Sequence, residues 1–147
     1  MADQNKNIVQ KIVLGGVIIK DDKILILQRH KNEDIYPNMW ELPSGKREPL
    51  EPSEESLIRE VKEETGLDVR IILPFSVFDY QIEKPKEIRD STQINFLVIP
   101  INNGGVKISD EHQAYAWIRS EEIDKYDLTD AIKNVIRKAF EVMTKVL

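Results

Sequence analysis

Three glutamates, Glu60, Glu63 and Glu64, stand almost together in this chain, with Arg59 directly before them and Gly45 and Glu51 upstream. Successive residues of an α-helix turn by about 100°, so the three carboxylates would fall within an arc of roughly 100°, with Glu60 and Glu64 one turn apart. Carboxylate oxygens are the ligands that magnesium and manganese prefer. Without a cation, carboxylates this crowded would repel and raise one another's pKa. A divalent ion held there could polarise a phosphoryl oxygen and activate a water molecule, which is the chemistry of phosphate hydrolysis. Leu57, Ile58 and Val61 cluster on a neighbouring face, so one side of the helix is expected to enter the core while the glutamates look along the exposed edge of a cleft.

A short acidic run on a helix is in most proteins a solvated surface. The wider spacing changes that reading. From Gly45 to Leu67 the chain spells G-x5-E-x7-R-E-U-x-E-E-x-G-U, where U is a bulky aliphatic residue. Such a match arises by chance in a chain of this length with probability on the order of one in ten million at average residue usage. The segment resembles the signature box of the Nudix hydrolases, the MutT-like enzymes that cleave a nucleoside diphosphate linked to another group, and every specified position matches. Flanking strings extend the likeness along the chain: Trp40-Glu41-Leu42-Pro43-Ser44-Gly45 before the box and Asp110-Glu111-His112-Gln113-Ala114-Tyr115-Ala116-Trp117 after it.

The resemblance implies a set of roles. Glu60 and Glu64 would bind metal with help from Glu63, and the carbonyl of Gly45 would be a further ligand, approached closely because glycine has no side chain. The cofactor would be Mg2+ or Mn2+. Glu51 and Arg59 would pair and brace the loop against the helix, so that Arg59, although part of the catalytic constellation, acts mainly through structure; a guanidinium fork suits a fixed carboxylate. Glu111, outside the box, is the candidate base or further metal ligand. Water would attack a phosphorus in line.

Other residues carry weaker signals. Arg29 ends a strand and could touch a substrate phosphate. Tyr36, Phe78 and Tyr80 are the better candidates for stacking on a base, whereas Trp40 and Trp117 are expected in the core. Asp127, Thr129 and Asp130 precede or open the last helix, a region that can meet the base in MutT-like proteins. His30 and His112 lack a partner histidine at metal spacing, which disfavours zinc.

The elements that must position these residues follow from periodicity. Ile8–Lys20 and Lys23–Arg29 read as strands joined at Asp21-Asp22 in a hairpin, and a polar loop runs from His30 to Met39. Trp40–Leu42 reads as a short strand leading into a glycine loop. Pro52-Ser53 opens the box helix, with Ser53 as N-cap and Gly66 as C-cap. Val69–Ile82 and Thr92–Ile101 read as strands joined by a charged loop, Glu83–Ser91. Asn102-Asn103-Gly104-Gly105 is a turn, and Ala114–Arg119 a further strand. Leu128–Val146 is an amphipathic helix with the stripe Ile132, Val135, Ile136, Ala139, Phe140 and Met143, capped by Asp127 or Thr129. Mixed strands with a helix on each face predict an α/β fold, an α/β/α sandwich with a mixed β-sheet between helices, which agrees with the Nudix fold that the resemblance implies.

The 147 residues suit one domain, 1–147. Cysteine is absent, which excludes disulfides, thiolate catalysis and cysteine-bound zinc. The start of the chain is polar and lacks a signal core, and no apolar run could span a bilayer, so a cytoplasmic location without membrane partners is the expectation. A net charge of −5 disfavours nucleic acid as a partner and points to a small nucleotide, with a cation reversing the local field. Within the family, the leading expectation is a magnesium-dependent pyrophosphohydrolase of nucleoside triphosphates. A dinucleoside polyphosphate hydrolase is the alternative, and RNA 5′-ends and ADP-ribose are weaker ones. From another class comes a nucleotide sensor that does not cut. Leu50 and Ser44 stand where relatives often carry glycine, and Ala116 where they often carry arginine, so the departures bear on specificity more than on catalysis.

Overall fold

The computed structural model describes residues 5–102 and 104–147. Met1–Gln4, and Asn103 of the expected turn, lie outside the described residues. The first hairpin forms as expected: β1 (Asn7–Lys20) pairs antiparallel with β2 (Lys23–Arg29) through Ile19↔Ile24 and Lys20↔Lys23. Asp21 and Asp22 take φ of 53° and 61°, the left-handed geometry that a two-residue hairpin requires and that aspartate tolerates better than most residues. β3 (Trp40–Glu41) then adds to β2.

The glycine segment corrects the expectation of a loop. Ser44–Lys46 form a short strand, β4, antiparallel to β1 with Leu14 opposite Gly45. The box helix, α1 (Ser53–Thr65), also starts differently. Pro52 takes the N-cap position and its carbonyl accepts the Ser56 N–H at 3.0 Å, while Ser53 is the first helical residue and supplies no cap. Gly66 ends the helix with φ 75° and donates to Lys62, a conformation that glycine adopts without steric cost.

β5 (Val69–Glu83) and β6 (Glu87–Pro100) are longer than periodicity alone predicts. Most of the expected Glu83–Ser91 loop is strand. β6 is hydrogen-bonded to β5 on one side and runs parallel to β1 on the other, from Asn7↔Glu87 to Ile18↔Val98, so its backbone is satisfied whatever its side-chain charge. β7 (His112–Ile118) pairs with β2. A 3-10 helix, Ser120–Lys125, precedes α2 (Asp130–Val146) and was not legible from pattern. Of the two proposed caps for α2 it is Thr129 that serves, accepting the Ile132 N–H at 3.3 Å.

The mixed sheet runs β3-β2-β1-β6-β5, with β4 on β1 and β7 on β2. Strand alternation divides its apolar residues between two cores. Leu14, Ile18, Leu25 and Leu27 pack with Leu57 and Val61 of α1. Val17, Ile19, Ile24 and Ile26 pack with Ile132, Val135, Ile136 and Ala139 of α2. Helices thus cover opposite faces, the expected sandwich. Ile58, expected beside Leu57, is 38% exposed instead. Among the described residues no helix is long and apolar enough to cross a membrane.

Candidate active site

α1 presents its glutamates in three different environments. Arg59 forms the expected brace: its Nε donates to Glu51 Oε2 at 3.1 Å and its Nη2 to Glu51 Oε1 at 2.9 Å. The remaining nitrogen, Nη1, donates to Glu60 at 3.1 Å and Glu63 at 3.3 Å. These bonds hold the Glu51 carboxyl down to about 2 and raise the guanidinium pKa further still, Glu51 being the largest cause. Glu63 lies on the solvent side of Arg59, largely exposed, and does not line the cleft described below.

Glu60 is half-buried and lies across Gly45. A Cβ built on Gly45 would stand 2.1 Å from the Glu60 carboxyl carbon and 2.4 Å from its Cγ. The glycine is therefore required by the side chain that crosses it, in a strand of ordinary backbone. Burial raises the Glu60 pKa, against the pull of Arg59.

Glu64 is not at the exposed edge anticipated for it; only 7% of its surface is accessible. Its Oε1 accepts the Ser44 N–H at 2.8 Å. Burial, chiefly, pushes its pKa up to about 9; the Ser44 bond opposes this, and Glu41, Glu111 and Glu60 add to it. Glu111, exposed on the turn before β7, comes to Glu64 and His112 so closely that one ligand atom of each lies within 4.8 Å of the others. Oxygen donors in excess, one of them buried and protonated for want of a counter-charge, form a donor set that fits a hard divalent cation. Glu64 and Glu111 are the carboxylates of this cluster that could hold it; Glu60, expected beside them, lies outside the cluster, although its charge and those of Glu64 and Glu111 act on one another.

Two participants were missed by sequence reasoning. Glu41 of β3 and the buried His112 of β7 share a 2.8 Å hydrogen bond through His112 Nε2. Arg29 reaches the same carboxylate at 3.4 Å, donates through Nε to the Ile35 carbonyl at 2.9 Å and meets Glu33 at 3.5 Å. Arg29 therefore lines the cleft with its guanidinium already shared. The sequence signal for Glu41 was one carboxylate between Trp40 and Leu42 in a short strand.

Arg29 and Glu41 line a cleft of about 450 Å3. Glu41, Gly45, Glu64 and Glu111 lie in its wall with Tyr36, Met39, Trp40, Phe78 and Tyr80. Tyr80 stands 5.7 Å from Phe78, ring to ring, and burial raises its pKa. Trp40 packs edge-on to Tyr126 at 5.0 Å yet also reaches the cleft, so it is both core and lining. Trp117 packs against the α1-side core. Of the residues before α2, Thr129 reaches the cleft, followed by Ala131 and Ile132. The His30 ring accepts the Asn32 N–H within its own loop at 3.2 Å, while its backbone N–H donates to the Glu111 carbonyl at 3.1 Å.

The NUDIX domain family matches residues 10–139. The chain is 32% identical over 136 residues to nucleoside triphosphatase NudI of Salmonella arizonae, covering 87% of this chain and 95% of that protein. In three dimensions it is similar to the MutT protein of Methanosarcina mazei Go1 (TM-score 0.67, 25% identity, 97% of each chain covered) and to the E. coli ORF135 protein (TM-score 0.66, 28% identity, 93% and 92% covered).

Proposed function

Because this chain belongs to the Nudix family, whose domain spans most of its length, we propose that it is a single-domain pyrophosphohydrolase, over residues 1–147, that cuts nucleoside triphosphates to a nucleoside monophosphate and pyrophosphate. Hydrolysis of a phosphoric anhydride is the activity of the family, and the NudI relatives are nucleoside triphosphatases by name. The observation that carries the reading is the meeting of buried Glu64 with Glu111 and His112 beside a cleft lined by both aromatic and cationic side chains. A divalent ion, Mg2+ or Mn2+, would supply Lewis acidity to the phosphoryl oxygens and to water.

The chain's own groups do the rest. Glu60 and Glu64 would hold the ion through carboxylate oxygens, and the Gly45 carbonyl would be a further donor. Glu111 accepts a proton as the water oxygen bonds to phosphorus and the bond from phosphorus to the leaving pyrophosphate oxygen breaks. Arg59, bonded to Glu51, Glu60 and Glu63, fixes their positions, and Glu63 tunes that guanidinium. Arg29 and Tyr80 are the substrate contacts: Tyr80 beside the base, and Arg29 at a phosphate that would displace its weakest partner, Glu33, at 3.5 Å.

The direct test is incubation with magnesium and a panel of nucleoside triphosphates, dinucleoside polyphosphates and nucleoside diphosphate sugars, with phosphate and pyrophosphate assayed separately. Pyrophosphate release from one or more triphosphates is expected. Tight nucleotide binding without turnover of any member would overturn the reading in favour of a sensor.

The brace gives a second prediction. Glu51→Gln removes the charge that holds Arg59, so turnover should fall about ten-fold and the magnesium concentration for half-activity should rise. A magnesium titration superimposable on that of the parent enzyme would show that the pair positions nothing. Because Glu51 is depressed, the pair is intact above the ordinary carboxylate range and is lost only as pH falls through about 2.

A further inference from the structure

Lys11, Lys46 and Arg89 enter the same cleft from three strands, β1, β4 and β6. The register brings them together: Lys11 is opposite Ser91 on β6, two residues from Arg89, and Lys46 is opposite Val13 on β1, two residues from Lys11. Lys46 lies within electrostatic range of Arg89, Lys11 and also Lys84. Compensation is thin. Glu48 acts on Lys46 from the loop, and Arg89 meets Glu87 only at 3.9 Å. The Arg89 Nε is buried with no acceptor. Among the described residues, neither Lys11 nor Lys46 has an ion pair or a side-chain hydrogen bond of its own.

Three cations gathered on one wall repel one another, and an anion seated among them relieves that repulsion more directly than Glu41, Glu64 and Glu111, which line the cleft without an ion pair to any of the three. The anion must also be reachable from the carboxylate end. Lys46 follows Gly45 directly, and neighbouring Cα atoms are about 3.8 Å apart, so a phosphate chain anchored near Gly45 can extend onto Lys46 and from there onto Lys11 and Arg89. A neutral sugar or a second nucleoside at that place would leave the charges unmet.

We propose that Lys11, Lys46 and Arg89 form the subsite for the free terminal phosphates of the substrate, so that the enzyme selects nucleotides that end in unesterified phosphate over nucleoside diphosphates capped by a neutral group. This rests on the pyrophosphohydrolase reading for its biological sense but is tested apart from it. In the first arm, inorganic tripolyphosphate binds the metal-free protein in EDTA, followed by calorimetry. The parent protein should bind it, nucleoside monophosphate should bind far more weakly, and Lys11→Gln and Arg89→Gln should each weaken tripolyphosphate binding by about ten-fold and flatten its salt dependence. Arg89→Lys should restore part of the loss.

In the second arm, the same variants should raise KM for nucleoside triphosphate by about ten-fold with a much smaller change in kcat, and should leave KM for a nucleoside diphosphate sugar unmoved. Tripolyphosphate binding equal in parent and variants would overturn the subsite, even in a protein that hydrolyses triphosphates. An equal rise in KM for capped and uncapped substrates would overturn the selectivity. A protein that binds tripolyphosphate through these residues yet cleaves nothing would uphold the subsite while refuting the hydrolase.

Discussion

Glu64→Gln is expected to lower magnesium-dependent turnover by at least about a thousand-fold, because it removes the charge of the most buried of the proposed ligands while leaving an amide oxygen to accept the Ser44 N–H. The same substitution should make the metal-free protein more stable at neutral pH. The sign follows from the direction of the shift. In the fold the Glu64 pKa is raised from 4.5 to about 9. Below the unfolded value both states hold the proton. As pH rises from there toward 9 the unfolded chain ionises and the native one resists, so native stability is lost over that window. Glutamine cannot ionise, so near pH 7.5 the metal-free variant should be more stable than the parent by roughly 2–4 kcal/mol. Urea denaturation in EDTA at pH 5 and pH 7.5 measures this: the two proteins should converge at the lower pH and separate at the higher. Magnesium binding by the parent should release about one proton at pH 7.5, seen as a buffer-dependent binding enthalpy. Turnover near the parent level in the variant would remove Glu64 from the metal site altogether.

Gly45→Ala has the second largest expected effect, and its signature is a split between activity and stability. The added methyl would overlap Glu60 from Cγ to the carboxylate, the nearest approach being 2.1 Å. Glu60 is a flexible side chain, so the clash is relieved by swinging it off the strand rather than by moving backbone. The cost in stability should be within about 1–2 kcal/mol. The cost in turnover should be about a hundred-fold or more, because the displaced carboxylate leaves Arg59 Nη1 and the position proposed for it beside the cation. Thermal unfolding and steady-state kinetics on one preparation separate the two. An alanine variant with nearly full activity would mean that Glu60 can serve from another rotamer and that its place over Gly45 is incidental.

Both predictions concern the box, the part of the molecule that was most legible beforehand. Its glutamates are close in sequence, and helical geometry relates Glu60, Glu63 and Glu64 without tertiary information, whereas the Arg59–Glu51 pairing was an implication of the resemblance. The hairpin at Asp21-Asp22 and the apolar stripe of α2 were legible for the same reason, since side-chain period reports local backbone geometry. Glu111 was reached only through resemblance. Errors arose where neighbouring strands decided the outcome. Glu87–Ser91 is charged enough to resemble a loop but lies between β1 and β5, whose backbones complete its hydrogen bonds. Ser44–Lys46 is strand because β1 offers an edge there.

By itself the amino-acid sequence determined the reactive box, the helix that carries it and the two apolar faces of the sheet, because each depends on residue type at short, regular spacing. Only the tertiary structure decided that Glu64 is buried and protonated without a cation, that Glu41 and His112 bond across 71 residues, and that Lys11, Lys46 and Arg89 share a wall. Those properties come from the pairing of strands far apart in the chain and from the water that the pairing excludes. No local pattern encodes either.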